Sequence, residues 1–418
     1  MAVVFAIARA FKITTELSML AAAIGGAIAH GAWIPSRHIV DGAFTYFDVT
    51  LIFITATFFM NLVKHAGGAN FIVRGIIRRF HKQRAMTLLF LALVMLVPGA
   101  LTGAGSVTVL VLGALVATVL TYMGISKDRV AAIIFLCAAM SAAAPPINLW
   151  AMMAAAGANM PYVGFFLPLG IISVLGAVFS MFYLGWKGTP VELDKIMAEL
   201  PEPTQGMRAW KVTLPFVVLI ALILAGRLWP WTMPTLGLPL MFLIASGVTV
   251  LISPVRLPLF KIAQETVERL LPLIGVMVVV GIMVQIMALS GARGLISLGV
   301  VTLPIGVIFA TLWLILPFSE GLVQYAAAPL LAIPLLFLLN MKGINPIMAL
   351  SGMAVMFPIG DMLPPTTVVG RATMMTVGYT GPYYSGFVKR CLVPSAFILL
   401  MGTLYVIFGN ELKFLVAG

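Results

Sequence analysis

The chain has 418 residues, of which 62% are hydrophobic and 9% are charged, and its mean hydropathy is +1.12. A soluble globular domain carries roughly 25% charged residues, so this composition excludes that class and predicts an integral membrane protein. The apolar runs are long and do not alternate with period two, which favours an all-α architecture over a barrel.

Residues 1–186 are predicted to form a first repeat of scaffold helices, a basic arm, a hairpin and a broken helix. Apolar windows of about 20 residues place its spans at 15–34, 46–63, 129–158 and 162–186. The basic stretch 64–84 predicts a helix that lies at the membrane interface. Segment 86–123 is interrupted by a polar tip at 102–108, and each arm of about 15 residues is short for a crossing. A re-entrant hairpin is therefore favoured, with two short tilted spans as the alternative.

The remaining sequence is predicted to form a linker and a second repeat. Residues 187–235 contain a polar cytoplasmic linker and a transmembrane helix without a counterpart elsewhere. Residues 236–418 repeat the order of the first half, with a hairpin at 297–340 and a broken helix at 345–379.

The two halves share a pattern of proline and glycine with a constant offset of 219 positions. The first copy consists of Pro98, Gly124, Pro145 and Pro146, and the second of Pro317, Gly343, Pro364 and Pro365. A Pro-Pro pair breaks a helix, because proline lacks an N–H donor and clashes with the preceding turn. Broken helices at matching places in two halves indicate the binding site of a secondary transporter. An odd number of spans precedes the second repeat, which predicts that the two repeats have inverted topology.

The distribution of basic residues predicts the orientation of the chain. A net charge of +12 would suit nucleic acid in a soluble protein. Here 19 of the 25 Lys and Arg residues fall in segments on one side of the predicted membrane, so the positive-inside rule makes that side cytoplasmic. We therefore expect a bacterial-type inner-membrane protein with a cytoplasmic N-terminus and no nucleic-acid partner. Arg9 and Lys12 precede no small-residue cleavage site, so no cleavable signal peptide is expected.

Three ionisable residues of the second half lie inside predicted membrane elements, where buried charge is expensive and usually functional. Glu320 is expected at a hairpin tip, and Asp361 precedes the second Pro-Pro. Together with freed carbonyls and hydroxyls they predict a cation site, because hard cations prefer oxygen ligands. A proton-carrying carboxylate and a helix-capping carboxylate are the alternatives. Arg371 is a candidate for binding a substrate carboxylate, for pairing with these acids, or for reaching the interface.

Neutral polar residues complete the candidate site. In the first half they are Thr102, Gly103, Ser106, Thr108, Pro145 and Asn148, and in the second half Ser319, Thr366 and Thr367. Glycine lets the backbone approach a ligand closely, and an Asn amide both donates and accepts hydrogen bonds. Small residues that pack helices in membranes produce the same composition. We predict substrate contacts for Thr102, Ser106, Asn148, Thr366 and Arg371. We predict cation contacts for Gly103, Thr108, Pro145, Ser319, Glu320, Asp361 and Thr367.

Three stretches resemble the large membrane subunit of tripartite ATP-independent periplasmic (TRAP) transporters, within the wider ion transporter superfamily. They are the glycine- and serine-rich tip 102–108, the Ala-Pro-Pro-Ile-Asn sequence at 144–148, and the segment 343–366, which contains Gly-Asp-Met-Leu-Pro-Pro-Thr. The resemblance implies an elevator-type carrier with Na⁺ at the two hairpin tips and an organic anion between them. It also implies a small membrane subunit and a periplasmic substrate-binding protein as partners.

The sequence therefore predicts a Na⁺-coupled transporter that takes up a small organic anion such as a carboxylate, with no cofactor beyond the coupling ion. Asn148 is closer to the dicarboxylate/sodium symporters of the same superfamily. The acidic second half leaves a Na⁺/H⁺ antiporter or proton-coupled carrier open. An intramembrane enzyme is disfavoured, because Cys137 has no nearby base in the sequence pattern. A passive channel is disfavoured because paired broken helices suit alternating access.

Overall fold

Helices make up the regular structure of the chain. The computed structural model describes residues 1–190, 192–202, 204–229, 234, 236–365 and 367–416, and within these ranges there is no strand. The helices of the first part are α1 (Ala2–Ala10), α2 (Thr15–Ala29), α3 (Ser36–Phe44), α4 (Phe47–His65), α5 (Gly68–Phe80), α6 (Arg84–Thr102), α7 (Gly105–Thr108), α8 (Ala114–Tyr122), α9 (Lys127–Ala143), α10 (Leu149–Gly157) and α11 (Phe166–Gly185). The later helices are α12 (Leu193–Glu199), α13 (Ala209–Leu228), α14 (Leu238–Ile252), α15 (Leu259–Leu289), α16 (Ala292–Val301), α17 (Ile305–Val323), α18 (Ile333–Met341), α19 (Pro346–Met356), α20 (Val368–Val377) and α21 (Lys389–Ile407).

Six short segments with tighter or wider turns join these helices. The π segments are Val109–Gly113, Ala328–Ala332 and Tyr383–Val388, and the 3₁₀ segments are Gln324–Ala326, Phe357–Met362 and Glu411–Val416. Eight helical stretches of the described residues are long and apolar enough to cross a membrane. The all-helical, multi-pass membrane architecture is thereby confirmed. Both arms of the first hairpin, Arg84–Thr102 and Gly105–Tyr122, belong to the eight, so their length fits either a re-entrant hairpin or two short spans.

Several element bounds differ from the prediction. The second hairpin begins at Ile305 instead of 297, because residues 292–301 form the separate helix α16. Pro304 caps α17 and ends the preceding segment, as expected of a residue without an N–H donor. The sharp turn of this hairpin lies at Gln324, whose φ is +54°. Ser319 and Glu320 therefore lie near the C-terminal end of α17, before the sharp turn at Gln324.

The core surrounds the two broken helices. Every residue of α9 from Val130 to Ala143 is buried, and so is every residue of α19 from Met348 to Met356. A helix that is apolar on all sides belongs in a core. α9 lies against α6 and α11, and α19 lies against α21. Gly352 of α19 meets Gly402 of α21 so closely that a Cβ on Gly402 would lie 2.8 Å from the Gly352 carbonyl oxygen.

A second group of helices surrounds one side of this core. α15 packs against α2, α3 and α4, while α14 packs against α4 and α13. Inside the group, the Asn61 side chain donates a buried hydrogen bond of 2.8 Å to the Thr266 hydroxyl. This polar contact fixes α4 against α15, since a buried amide in an apolar setting needs a partner.

Two arginines that lie 219 positions apart hold helix ends. Arg74 of α5 donates to the carbonyl oxygens of Met197, Leu200 and Pro201 at 3.2, 2.8 and 3.0 Å. Arg293 of α16 donates to the Gly157 carbonyl at the end of α10, at 3.1 Å. A cation at a helix C-terminus satisfies the last carbonyls and complements the helix dipole. Each arginine therefore ties its arm to a different part of the chain.

The α19–α21 crossing predicts the effect of a single methyl group. Gly352→Ala should destabilise the protein by about 1–3 kcal/mol, the usual cost of overpacking a filled core. Gly247→Ala on α14 is the matched control, because a Cβ there meets no atom within 4 Å. Thermal unfolding in detergent measures both variants, and equal melting temperatures for the two would contradict the close crossing.

Candidate functional site

The two predicted breaks lie between α9 and α10 and between α19 and α20, and the Pro-Pro bond is cis in both. At the first break Asn148 is fully buried and caps α10. Its side-chain oxygen accepts from the Ala151 N–H at 2.9 Å, and its amide nitrogen donates to the Ala143 carbonyl at 2.8 Å. Asn148 thus replaces backbone partners that the break removes.

The tip of the first hairpin rests on this break. Gly103 ends α6 with φ +71°, and a Cβ there would lie 2.6 Å from Leu149 Cγ. The Ile147 N–H donates to the Ala100 carbonyl at 3.0 Å. Glycine is required because the left-handed backbone and the close approach both exclude a side chain.

The other first-half candidates bond within the protein. The Thr102 hydroxyl donates to the Pro98 carbonyl at 2.8 Å. Thr108 and Ser141 share a buried hydrogen bond of 2.7 Å between their hydroxyls. Ser106 is half-buried, and Pro145 lines an apolar cavity of about 510 Å³. The first half therefore gathers the predicted residues in one place, but its buried polar side chains already have partners.

The second half holds a buried carboxylate that bonds to a tryptophan of the first half. Glu320 is 0% exposed, and its Oε2 accepts a hydrogen bond of 2.8 Å from the Trp150 indole N–H. Its Oε1 has no hydrogen-bond partner in the described part of the chain. Trp150 also stacks on Tyr325, with ring centroids 5.0 Å apart. Because Trp150 belongs to α10, this cluster joins the broken helix of the first half to the hairpin of the second.

Asp361 lies beside this cluster in the 3₁₀ segment Phe357–Met362. A Cβ on Gly360 would lie 2.7 Å from Glu320 Cβ, so the glycine provides the space that the glutamate occupies. Asp361 is 5% exposed and directly follows this glycine in the chain. Neither carboxylate forms an ion pair within the described ranges. The alternative in which Arg371 pairs with one of these acids is therefore not observed in these ranges.

Arg371 and its neighbours form a more open region at the second break. Arg371 is exposed on the first turn of α20, and Pro364 and Pro365 are exposed before it. The Tyr383 hydroxyl donates to the Met362 carbonyl at 2.8 Å, which satisfies one acceptor freed by the break.

The remaining second-half candidates differ from one another. Thr367 is buried with φ +44°, and its hydroxyl has no partner among the described residues. The Ser319 hydroxyl donates to the Leu316 carbonyl of its own helix at 2.7 Å. Thr366 lies outside the residues that the structure describes. Glu320, Asp361 and Thr367 are thus the buried oxygen-bearing candidates of this half.

Trp150 and Tyr325 were missed by the sequence analysis. Their signal was present, since a buried Trp N–H or Tyr O–H needs a polar partner, and Trp150 comes two residues after Asn148. No group of three or more His, Cys, Asp and Glu side chains that could hold a metal ion occurs in the described parts of the chain.

The comparisons with known proteins agree with this architecture. No family model matches the sequence, and no curated protein matches it. Two solved transporters share the fold. The YdaH transporter of Alcanivorax borkumensis aligns with a TM-score of 0.58 and 15% identity, over 87% of this chain and 86% of that one. MtrF of Neisseria gonorrhoeae, described within a class of antimetabolite efflux pumps, aligns with a TM-score of 0.56 and 14% identity, over 87% and 83% of the two chains.

The chain has a membrane-transporter fold. At this level of identity the likeness concerns the fold alone. The likeness supports the predicted all-helical membrane fold, whereas the TRAP family receives no support from the comparisons.

The contact between Trp150 and Glu320 predicts a specific loss of stability. Trp150→Phe keeps an aromatic ring for the stack on Tyr325 but removes the N–H donor, which leaves Glu320 Oε2 without its partner. We expect a cost of about 1–3 kcal/mol, as for other buried acceptors that lose a donor. Trp313→Phe is the control, since the Trp313 N–H bonds to Ala310 at an exposed position. The melting temperature of each variant is measured by thermal unfolding. Equal decreases for the two substitutions would show that the buried hydrogen bond does not contribute more to stability than the exposed one.

Proposed function

We propose that this protein is a secondary active transporter that couples Na⁺ to the uptake of a small organic anion such as a carboxylate. The proposal rests on one observation above all. Two carboxylates, Glu320 and Asp361, are buried near the second break of a transporter fold, where a Cβ on Gly360 would lie only 2.7 Å from Glu320 Cβ, and they form no ion pair in the described residues.

The buried acids call for a cation. Two unneutralised carboxylates inside a membrane protein are strongly unfavourable, so a bound cation or proton has to offset their charge. Glu320 Oε1 and the Thr367 hydroxyl both lack partners among the described residues, and oxygen donors of this kind suit a hard cation. We assign Ser319, Glu320, Asp361 and Thr367 to this cation site. A second site at Gly103, Thr108 and Pro145 would use backbone carbonyls, because the Thr108 hydroxyl already bonds to Ser141.

The organic anion is assigned to the space between the two breaks. Arg371, Pro364 and Pro365 are all exposed, and the Arg371 guanidinium is suited to two parallel hydrogen bonds with a carboxylate. Thr102, Ser106, Asn148 and Thr366 complete the proposed substrate contacts. Thr102 and Asn148 would have to exchange internal hydrogen bonds for substrate ones, which limits the contribution of each.

The movement is proposed to follow the elevator scheme. Two inverted repeats, divided as 1–186 and 236–418 around the connecting segment 187–235, would each contribute a hairpin and a broken helix to a mobile body. The helices around α4 and α15 would form the scaffold. The basic face is assigned to the cytoplasmic side of a bacterial-type inner membrane, with the N-terminus on that side. A small membrane subunit and a periplasmic binding protein stay predictions that follow from the TRAP resemblance alone.

A Na⁺/H⁺ antiporter or proton-coupled carrier is the second candidate. It is favoured by the contrast between the unpaired acids and the first-half polar side chains, most of which are bonded within the protein. A site with these acids can bind cations, whereas the bonded first-half side chains offer an organic acid few hydrogen-bond donors. Sensitivity of transport to an added organic acid separates this candidate from the symporter.

The carboxylates give the first test of cation coupling. Titrating Na⁺ against choline should raise the melting temperature of the purified protein, since a ligand at 100 times its Kd stabilises the folded state by about 2.7 kcal/mol. Asp361→Asn and Glu320→Gln should abolish this rise. The Gln side chain can still accept the Trp150 hydrogen bond, so the second variant isolates the charge.

Glu265→Gln is the control, because that acid is partly exposed near His65. A Na⁺ response that survives in both site variants would refute the assignment. A pH response without any Na⁺ response would favour proton coupling.

Arg371 gives the test of substrate class. A panel of organic acids is added in the presence of Na⁺, and one of them should raise the melting temperature further. Arg371→Gln should weaken that response by about 10- to 100-fold in apparent affinity, the loss expected for a charge-assisted pair worth about 1.5–3 kcal/mol. Arg256→Gln, at an exposed loop position, should leave it unchanged. Stabilisation by Na⁺ that no acid alters would favour the antiporter.

A further inference from the structure

A large apolar cavity lies on the seam between the two groups of helices. Its volume is about 510 Å³, and every side chain that lines it is apolar. One wall comes from the first hairpin and the first break, with Ala100, Leu101 and Pro145. The opposite wall comes from α4, α5 and α13, with Leu219 and Ile223 among its residues. An apolar cavity of about 150 Å³ already binds a benzene-sized guest, so this one has room for a long hydrocarbon.

The cavity opens towards the surface that would face the bilayer. Ile220 and Leu224 line it and are also 54% and 50% exposed, and Val97 on the hairpin side is 38% exposed. Its rim is therefore apolar and lies along α13, a candidate membrane span. An opening of this kind meets lipid chains in a membrane and offers a polar substrate no hydrogen bond.

Positive charge marks one end of the cavity. Lys64 follows the lining residue Val63, and its ammonium donates to the Leu110 carbonyl at 2.7 Å, next to the lining residue Val111. A carbonyl partner does not neutralise the ammonium, which has no ion pair within the described ranges, and the nearby charges of Glu265 and Arg269 are opposite in sign. An ammonium has three N–H donors, so it has capacity for a further acceptor. The arm α5, which lines the cavity through Ala69 and Ile72, adds further positive charge. Arg78, Arg79 and Lys82 are exposed there and form no ion pair within the described ranges.

We propose that the cavity holds an acyl chain of an anionic phospholipid, whose phosphate lies at Lys64. Charge complementarity selects an anionic headgroup, because each basic residue near a membrane surface contributes about 1 kcal/mol to the attraction of acidic lipid. The lipid would contact the first hairpin and the first break on one side and α4, α5 and α13 on the other. It would therefore fill the space between the two groups of helices. The lipid site stands independently of the coupling ion and of the organic anion.

Lipid retention by the intact protein tests this site. The purified chain is exchanged into mild detergent, offered dioleoyl phosphatidylglycerol or dioleoyl phosphatidylcholine, and analysed by native mass spectrometry. Phosphatidylglycerol should be retained more strongly than phosphatidylcholine. Lys64→Gln should reduce this preference about fivefold, the equivalent of one basic residue. Retention of phosphatidylcholine should fall less, because its quaternary ammonium already offsets the charge of its phosphate.

Two variants fill the cavity from opposite walls, so that a folding defect in one does not decide the result. Ala100→Phe and Ile223→Trp should each abolish most of the retention of both lipids. Ala114→Phe, at an exposed position of α8 that does not line the cavity, is the control and should retain lipid as the wild type does. The folded state of each variant is checked by its thermal transition.

Three results would overturn the proposal. Equal retention of the two lipids by the wild type would contradict the proposed selectivity for an anionic headgroup. Unchanged retention in both filled variants would place the lipid elsewhere. Absence of bound lipid, together with loss of acid-dependent stabilisation in the filled variants, would make the cavity a substrate chamber. Failure of the Na⁺ titration affects none of these outcomes, because lipid retention is measured without cation or acid.

Discussion

A membrane interior offers no water to satisfy a broken backbone, and this constraint shapes both halves of the protein. Each Pro-Pro break removes helical hydrogen bonds, and other parts of the chain replace them. At the first break, Asn148 caps α10 and the Ile147 N–H reaches the first hairpin at Ala100. At the second break, Tyr383 reaches Met362 from the start of the last helix. The segments that surround each break therefore supply hydrogen-bond partners for backbone groups that the break leaves without helical ones.

The two halves satisfy this constraint in chemically different ways. By the offset of 219 positions, Glu320 corresponds to Leu101 and Asp361 corresponds to Ala142. Leu101 lines the apolar cavity, whereas Glu320 lies in a polar cluster and has a carboxylate oxygen without a partner among the described residues. Corresponding sequence positions thus lie in a dry, apolar region in one half and in a charged one in the other. Trp150 connects the two, because it belongs to the first half and donates to the acid of the second.

The sequence alone predicted the features that depend on local chemistry. A proline pair, a glycine or a run of basic residues affects the backbone within a few residues of its own position. The structure accordingly has helix ends at both Pro-Pro pairs and at Gly103, and the separate helix α5 within the basic stretch. The sequence did not predict contacts that depend on distant packing. Nothing within the hairpin sequence places Glu320 against Trp150, since 170 positions separate them. The sequence also did not predict that the hydroxyls of Thr102 and Thr108 form hydrogen bonds within the protein. A hydroxyl in a membrane segment is equally compatible with ligand binding and with bonding to its own backbone.

The contact between Arg74 and the linker has a practical meaning for dividing the chain. Three carbonyls around Leu200 fasten the linker to α5, so the first portion of the linker belongs physically to the first half. A two-fragment version of the protein would therefore respect the fold if the polypeptide were separated near Gly206, after the fastened stretch and before α13. A separation before Leu193 would instead transfer those carbonyls to the wrong fragment and leave Arg74 without its acceptors until the pieces reassembled.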